Sequence, residues 1–551
     1  MNLSHGDHVV DEDSVKQDVE LLPARTATVR EATGAPADVV QISTPFGYLF
    51  TNLADSYPLA HLPLDPSSTV VTALKALGSA MVDQPDDAGD DSTTPPIYTY
   101  WGQFVDHDLT ANTDRDTAVN IIDADLDPLH PEQVLHDLRN LREPQLNLDS
   151  VYGNGPGPHS TDPDEVPFNG DKFELGTLAG GPPGAVVIAG DDLPRINKKA
   201  RIGDGRNDEN LVIAQIQVSF LKFHNAVVDW LAAHPGDPIT GVGDFARARQ
   251  LVQWHYQWIT VHDFLKTVAM PDVVDGLLNG TITRFFNPPP PPVGATFMPL
   301  EFSVAAYRFG HSMVRGAYDW NENFGAPGVG QPPPGGPDAA FGQLFRFTGN
   351  GGFFGAPSLP NNWPAQFERM TGAVATPAGT NPEVPARFAR KIDTHLAPPL
   401  TDLSNEGTDA ALPRRIQRIL RRLAVRNLLR GYRLAIPTGQ AVANELGIVP
   451  LTTAQLLSGD QGVRDALIDG NFVVATPLWF YVLKEAEVIG LGNRLGPVGS
   501  RIVAETILGQ LFEDPDSFLR VGWNPSQGVP ATDGSPLDSI IKMLQFAGMH
   551  P

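Results

Sequence analysis

The chain has 551 residues, 41% of them apolar, enough for a sizeable core and too many for wholesale disorder. A formal net charge of −25 disfavours nucleic acid and anionic membranes as partners. There is no cysteine, which excludes disulfides, thiolate catalysis, iron–sulfur clusters and thiolate zinc sites.

The N-terminus, MNLSHGDHVVDEDSVKQ, lacks a basic stretch followed by an apolar one, so no cleavable signal is expected. No uninterrupted apolar run reaches about 18 residues, so no membrane-spanning helix is expected either. The compartment stays open between cytoplasm and signal-independent secretion. Residues 1 to about 95 mix short apolar runs with Asp, Pro and Gly and read as an arm on the main body. IYTYWGQFVDHDLT then reads as a short helix, followed by turn-rich sequence over 110–200. Ile213, Ile216, Phe220, Phe223, Val227 and Trp230 step by three or four residues, the buried face of a long helix. LVQWHYQWITVHDFLKTVAM is a second long candidate. NPPPPPVGA must be loop, and EFSVAAYRFGHSMVRGAY reads as helix again. After Gly/Pro-rich loops over roughly 325–360, helical patterns resume at RRIQRILRRLAVRNLLRGY and TPLWFYVLKEAEV. Strand-like alternation is scarce, so the fold class is mainly α.

Three segments carry chemistry. On a helix, Gln103, Asp106 and His107 share one face, while Asp108 is rotated by about 100° and points elsewhere. Taken alone, a His beside two Asp is an ordinary polar cluster. GDGRNDEN (203–210) opens the long helix, with Arg206 and Glu209 at i, i+3 and Asn207 or Asp208 available as its cap. In AAYRFGHSMV, Arg308 and His311 share a face and Gly310 leaves room for a flat group. A helical His among apolar residues is usually a core residue, unless haem is present, for which neutral imidazole is the commonest protein ligand.

Together, WGQFVDHDLT, LNLDSVYG, GDGRNDEN with LKFHN, RFGHSMV and LAVRNLLRGYRLAIPTGQ resemble, in order and spacing, the animal-type haem peroxidases of the peroxidase–cyclooxygenase superfamily. TPLWFYVLKEAEV and LGPVGSRIVAE resemble the bacterial branch. The resemblance covers about 45–515, leaving 1–44 as an N-terminal arm and 516–551 as a C-terminal extension packed on the domain. It implies a helical fold with haem between a distal and a proximal helix and long Gly/Pro-rich loops.

The same resemblance implies roles. His107 is the distal base for hydrogen peroxide, Arg206 the distal cation, and Gln103 the residue holding water or halide. His311 ligates the iron, with Asn427 accepting from its other ring nitrogen. Arg308 and Arg430 pair with haem propionates. Asp106 and Glu209 form ester bonds to haem b. Asn210 stands where myeloperoxidase has a sulfonium-forming methionine, which disfavours chloride and favours bromide, iodide, thiocyanate or phenolic donors. Asp108 with Glu143, Gln145 (backbone carbonyl), Asn147 and Asp149 resembles the calcium shell, with Glu143 and Asn147 departing from the usual Thr and Asp. A role in the response to oxidative stress goes with this chemistry.

Weaker features read as structural: His224, the pair His255 and His262 (seven residues apart, with no third ligand), and GVGDFA at 241–246, which follows a loop rather than a strand. Two rival functions remain. Fatty-acid dioxygenases of this superfamily place a radical-forming Tyr three residues before the proximal His. Here that position is Arg308, and Tyr307 is expected to face away. A non-catalytic haem-binding protein is the other, and it has no need of His107, Arg206 and His311 together.

Overall fold

The structure, a computed structural model, describes residues 25–28, 39–42, 44–64, 67–83, 91–111, 126–140, 142–153, 166–235, 244–288, 296–325, 338–349, 351–372, 388–403 and 414–551. Most of the N-terminal arm and of the loops GNGPGPHSTDPDE and NPPPPPVGA lies outside the described residues, as do the first three residues of GVGDFA. Within them the apolar periodicities fold as helices. α1 (Ser67–Ala80) buries Val70, Leu74 and Leu77 on one stripe. α2 (Ile97–Leu109) is the first expected helix and ends where Thr110 turns extended. α3 (Leu211–Ala233) is the long one, and α4 (Asp244–Ile259) runs on into a π-helical turn at Thr260–Leu265. α5 (Leu423–Arg433), α6 (Leu478–Val488), α7 (Pro497–Glu513) and α8 (Ile540–Phe546) complete the frame.

α1 packs on α5, α2 on α3, α3 on α4, and α6 on α7. α1 lies in sequence read as an arm, so that stretch is partly core. Aromatic rings join α2, α3 and α4. Phe104 stacks on Phe220 at 4.5 Å between centroids, and Trp101 and Tyr256 close around them. Burying each such ring stabilises the fold by about 1.5–3 kcal/mol, so the distal helix has a rigid back. α3 is the one helix among the described residues long and apolar enough to cross a bilayer, but 78% of its apolar window is buried inside the fold. Strands are few and short: Thr44–Gly47 pairs antiparallel with Arg139–Asn140 and parallel with Met298–Pro299.

EFSVAAYRFGHSMVRGAY departs from the expected single helix. Glu301–Ala305 is a π-helical turn and Ala306–His311 a 3-10 helix, with the break at Ala305 (φ −126°, ψ −77°). Side chains explain it. The buried Glu301 carboxylate accepts from the backbone N–H groups of Leu49 (2.8 Å) and Phe50 (3.2 Å), which ties the segment's start to the bend after Gly47. Arg308 Nε takes the Ser303 carbonyl at 2.9 Å, and Trp479 Nε1 takes that of Arg308 at 3.2 Å. Carbonyls that an α-helix would use internally are thus satisfied from outside.

The residues after 515 are tied to the α3–α4 layer. Trp254 Nε1 donates to the Asp516 carbonyl (2.7 Å), and His255 Nδ1 lies 2.9 Å from the Leu537 carbonyl. α8 packs on α3.

Candidate active site

The turn before α3 assembles the first half of the site. Asp204 caps a 3-10 turn, Gly205–Asp208, and Asn210, rather than Asn207 or Asp208, caps α3 by accepting from Val212 and Ile213 at 3.1 Å each. The cap moves because the 3-10 turn intervenes. Asp204 also receives Arg206 Nη2 at 2.7 Å and the buried guanidinium of Arg142. These two cations hold its carboxyl well below the usual range, although burial pushes the other way. Arg206 Nη2 further donates to the His107 carbonyl at 2.8 Å, linking turn to helix.

His107 is fully buried on α2. Its Nδ1 lies 2.8 Å from Asn207 Oδ1, and its Nε2 has no hydrogen-bond partner among the described residues. Desolvation, reinforced by Arg206, lowers its pKa from 6.5 to about 4, so the imidazole is neutral near pH 7. Gln103 Nε2 donates to Glu209 Oε2 (3.2 Å), while Asn210 Nδ2 donates to Gln103 Oε1 (3.3 Å). Asp106 Oδ1 accepts from Thr110 Oγ1 at 2.9 Å.

The second half is the 3-10 helix that carries Arg308 and His311. With three residues per turn these two fall on one face, as expected, although the helix type differs. Asn427 of α5 reaches His311 with Nδ2 3.0 Å from Nδ1. The expectation had the amide oxygen accepting there. In the structure that oxygen is buried without a hydrogen-bond partner, and a half-turn of the nearly isosteric amide places it on Nδ1–H. Arg430, one turn further along α5, is buried.

The two halves face one partly open cavity. Gln103, Asp106 and Gly102 form one wall; Tyr307 to His311, Met313 and Val314 form the other, with Phe341 beside them. His107, Arg206, Glu209, Asn427 and Arg430 sit behind these walls rather than lining them. A Cβ added to Gly310 would meet nothing within 4 Å, so open space lies over the His311 turn. Tyr307, expected to face away, lines the cavity. Its ring stacks on Phe302 (4.4 Å), and its buried hydroxyl has no hydrogen-bond partner among the described residues.

Asp108 points away from this cavity, as its rotation on α2 requires. Its Oδ2 accepts from Leu148 N (3.1 Å) and its Oδ1 from Ser150 Oγ (3.0 Å), and burial followed by Asp149 raises its pKa to about 7. Along the loop, Asn147 Nδ2 donates to Glu143 Oε2 (3.0 Å), Asn147 Oδ1 accepts from Asp149 N (3.0 Å), and the Gln145 carbonyl accepts from Gln257 at 3.5 Å. Burial, then Asp149, raises the Glu143 pKa. Leu146 and Leu148 are buried at φ 54° and 57°, a strained conformation for branched residues. No set of three or more His, Asp and Glu is arranged to hold a metal among the described residues.

The weaker histidines are held as packing residues. His224 lies 3.0 Å from the Tyr152 hydroxyl and 2.9 Å from the Asp171 carbonyl, and the His262 ring packs at a tilt against Trp258, 3.9 Å between centroids.

Four residues not singled out from sequence matter here: Asp204, Arg142, Gln217 and Arg195. Arg195 grips Asp192 (Nε, 2.9 Å) and Asp208 (Nη2, 2.8 Å), clamping the turn that carries Arg206 and Asn207. The alternation of Asp and Arg in GDGRND was the only sequence signal, and it names no partners.

Residues 183–329, which include Arg206, Glu209, Arg308 and His311, match the animal haem peroxidase family. A peroxidase-like protein of Margaritifera margaritifera is 27% identical over 272 residues, 42% of this chain, and the match spans only 33% of that relative's length. Peroxidase A from Dictyostelium discoideum aligns over 96% of this chain and 98% of its own, with TM-score 0.56 and 17% identity. The fatty acid alpha-dioxygenase of Arabidopsis thaliana aligns over 95% of this chain and 80% of its own (TM-score 0.54, 14% identity). That of Oryza sativa aligns over 98% and 90% (TM-score 0.56, 15% identity). At such identities the solved structures establish the fold, which peroxidases and dioxygenases share. Domain match and helical fold agree: residues 183–329 match the animal haem peroxidase family, and the chain shares its fold with solved peroxidases and fatty acid alpha-dioxygenases.

Proposed function

We propose that the chain is a haem peroxidase that reduces hydrogen peroxide to water while oxidising small donors. The observation that carries this reading is His107: buried, neutral, held at Nδ1 and without a partner at Nε2. Such an atom is a proton acceptor kept ready.

The residues fit a haem. One wall of the cavity is largely apolar, and the open space at Gly310 admits a flat group beside His311. His311, oriented by Asn427, would hold the iron, and Arg308 and Arg430 would meet the propionates. Asp106 and Glu209 would supply the ester oxygens, and haem that extracts fully into acidified organic solvent would disprove those bonds. When bound, haem supplies the two electrons that cleave peroxide and recovers them from donors. His107 Nε2 accepts the proton of one peroxide oxygen and returns it to the oxygen that departs as water. Arg206, fixed by Asp204, stabilises the negative charge developing on that oxygen. Gln103 holds a water or donor, since both ends of its amide are already placed by Glu209 and Asn210.

Asn210 forms no thioether bond and is occupied as a helix cap, so bromide, iodide, thiocyanate or phenolic donors are favoured over chloride. Calcium at Asp108, Glu143, Gln145, Asn147 and Asp149 is supported by the two neighbouring buried carboxylates of Asp108 and Asp149.

A fatty-acid dioxygenase is the second reading, and Tyr307 in the cavity wall is the observation that favours it. One experiment separates the two. Haem-loaded protein is given peroxide with a chromogenic phenol or bromide, and in parallel a long-chain fatty acid under an oxygen electrode. Donor oxidation without fatty-acid-dependent oxygen uptake supports the peroxidase. Oxygen uptake that disappears in Tyr307→Phe would replace it.

A further inference from the structure

Three buried side chains on three separate elements form one hydrogen-bonded line. His107 Nδ1 of α2 meets Asn207 Oδ1 of the 3-10 turn at 2.8 Å, and Asn207 Nδ2 meets Gln217 Oε1 of α3 at 2.8 Å. None of the three has any solvent exposure. We propose that Asn207, oriented by Gln217, is the positioning residue that fixes His107 as its Nδ1–H tautomer and keeps Nε2 as the lone-pair base. This rests on the reading of His107 as the peroxide base.

A neutral imidazole carries one proton, and the nitrogen that keeps it is set by the partner of that nitrogen. Asn207 Oδ1 can only accept, so Nδ1 must donate. Asn207 Nδ2 donates to Gln217 Oε1, which leaves Oδ1 facing His107. The backbone is fixed too. Asp204 caps the turn, and the Arg195–Asp208 ion pair closes its other end. An amide does this without adding charge. A carboxylate in its place would also accept from Nδ1, while raising the imidazole pKa. Asn207 touches no reacting atom; it acts through His107.

The tautomer is read directly from the imidazole nitrogen shifts of ¹⁵N-histidine-labelled protein at neutral pH, with His107 assigned by its loss in His107→Ala. This readout needs no haem. Wild-type protein should show His107 protonated at Nδ1, and Asn207→Ala and Gln217→Leu a mixture of tautomers. Asn207→Asp, which keeps an accepting oxygen, should restore the Nδ1–H form. In haem-loaded protein, cyanide association followed at the Soret band should slow by about 10–100-fold in Asn207→Ala, the usual cost of removing an orienting partner. The Soret band itself should be unchanged, and Asn207→Asp should recover most of the rate. His107 protonated at Nε2 in the wild type, or an unaltered tautomer in both Asn207→Ala and Gln217→Leu, would overturn the proposal. Failure to bind haem would instead sink the peroxidase reading and leave the tautomer measurement standing.

Discussion

At the scale of single residues, charge is placed in pairs so that His107 can stay neutral. Arg206 lowers the His107 pKa, Asp204 and Glu209 raise it, and burial outweighs them, leaving it at about 4. The peroxide reaction should therefore persist as pH falls through 6.5 and fail as pH approaches about 4, where His107 protonates and Nε2 can no longer accept. A rate profile that bends near 6.5 would show that His107 is solvated. Replacing His107 by Ala should keep haem binding and cost about 10²–10⁴-fold in turnover, the range for a general acid–base. Unchanged turnover would remove it as the base. The identity of this residue was legible in the sequence from its motif. Its partners Asn207 and Gln217 were not, because residues about a hundred apart meet only through the docking of α2 against the start of α3.

At the scale of elements, close approach and capping position the site. A Cβ on Gly203 would lie 2.5 Å from the Asp149 carbonyl oxygen and 2.7 Å from the Gly153 nitrogen, both backbone atoms that cannot yield cheaply. Gly203→Ala should lower stability by about 1–3 kcal/mol, measured by denaturant midpoint, by forcing the 143–153 segment off the distal turn. A midpoint like that of the wild type would show that the segment gives way freely. The C-terminal extension depends on a neutral histidine. His255 lies 2.9 Å from the Leu537 carbonyl at Nδ1, and its Nε2 accepts from Val529 N at 3.2 Å. Burial lowers its pKa from 6.5 to about 4. Between those values the unfolded chain binds a proton that the folded chain does not. Its stabilisation is therefore complete above pH 6.5 and is lost as pH falls towards 4. Unfolding free energy should fall less steeply over that window in His255→Leu than in the wild type. Equal slopes would exclude His255. The proximal segment shows how far periodicity reaches. Arg308 and His311 were placed on one face correctly, but the π-helical and 3-10 winding of the segment goes with the contacts of Glu301 and Trp479, which no local pattern reveals.

At the scale of the whole molecule, the distal and proximal halves lie on opposite walls of one cavity, and a ligand that fills it binds only the folded chain. Loading haem should raise the unfolding temperature in a concentration-dependent way. Removing calcium with a chelator should lower it, because Asp108 and Asp149 would lose their counter-cation, and re-addition should restore it. An unfolding temperature indifferent to chelator and calcium alike would refute the calcium site.

The sequence by itself determined the helical class, the resemblance to haem peroxidases and the residue types around the cavity, because apolar period, motif order and side-chain chemistry are local properties. It also determined what the site lacks, with Arg308 three residues before His311 and Asn210 in place of a methionine. Tertiary structure decided the rest. It chose Asn210 as the cap of α3 and turned Tyr307 towards the cavity. It buried Arg142 against Asp204 and tied His107 to Gln217 through Asn207. Each depends on atoms brought within hydrogen-bond range from distant parts of the chain, and the free energy that selects them is the cost of leaving a buried polar group unpaired. That cost has no counterpart along the unfolded sequence.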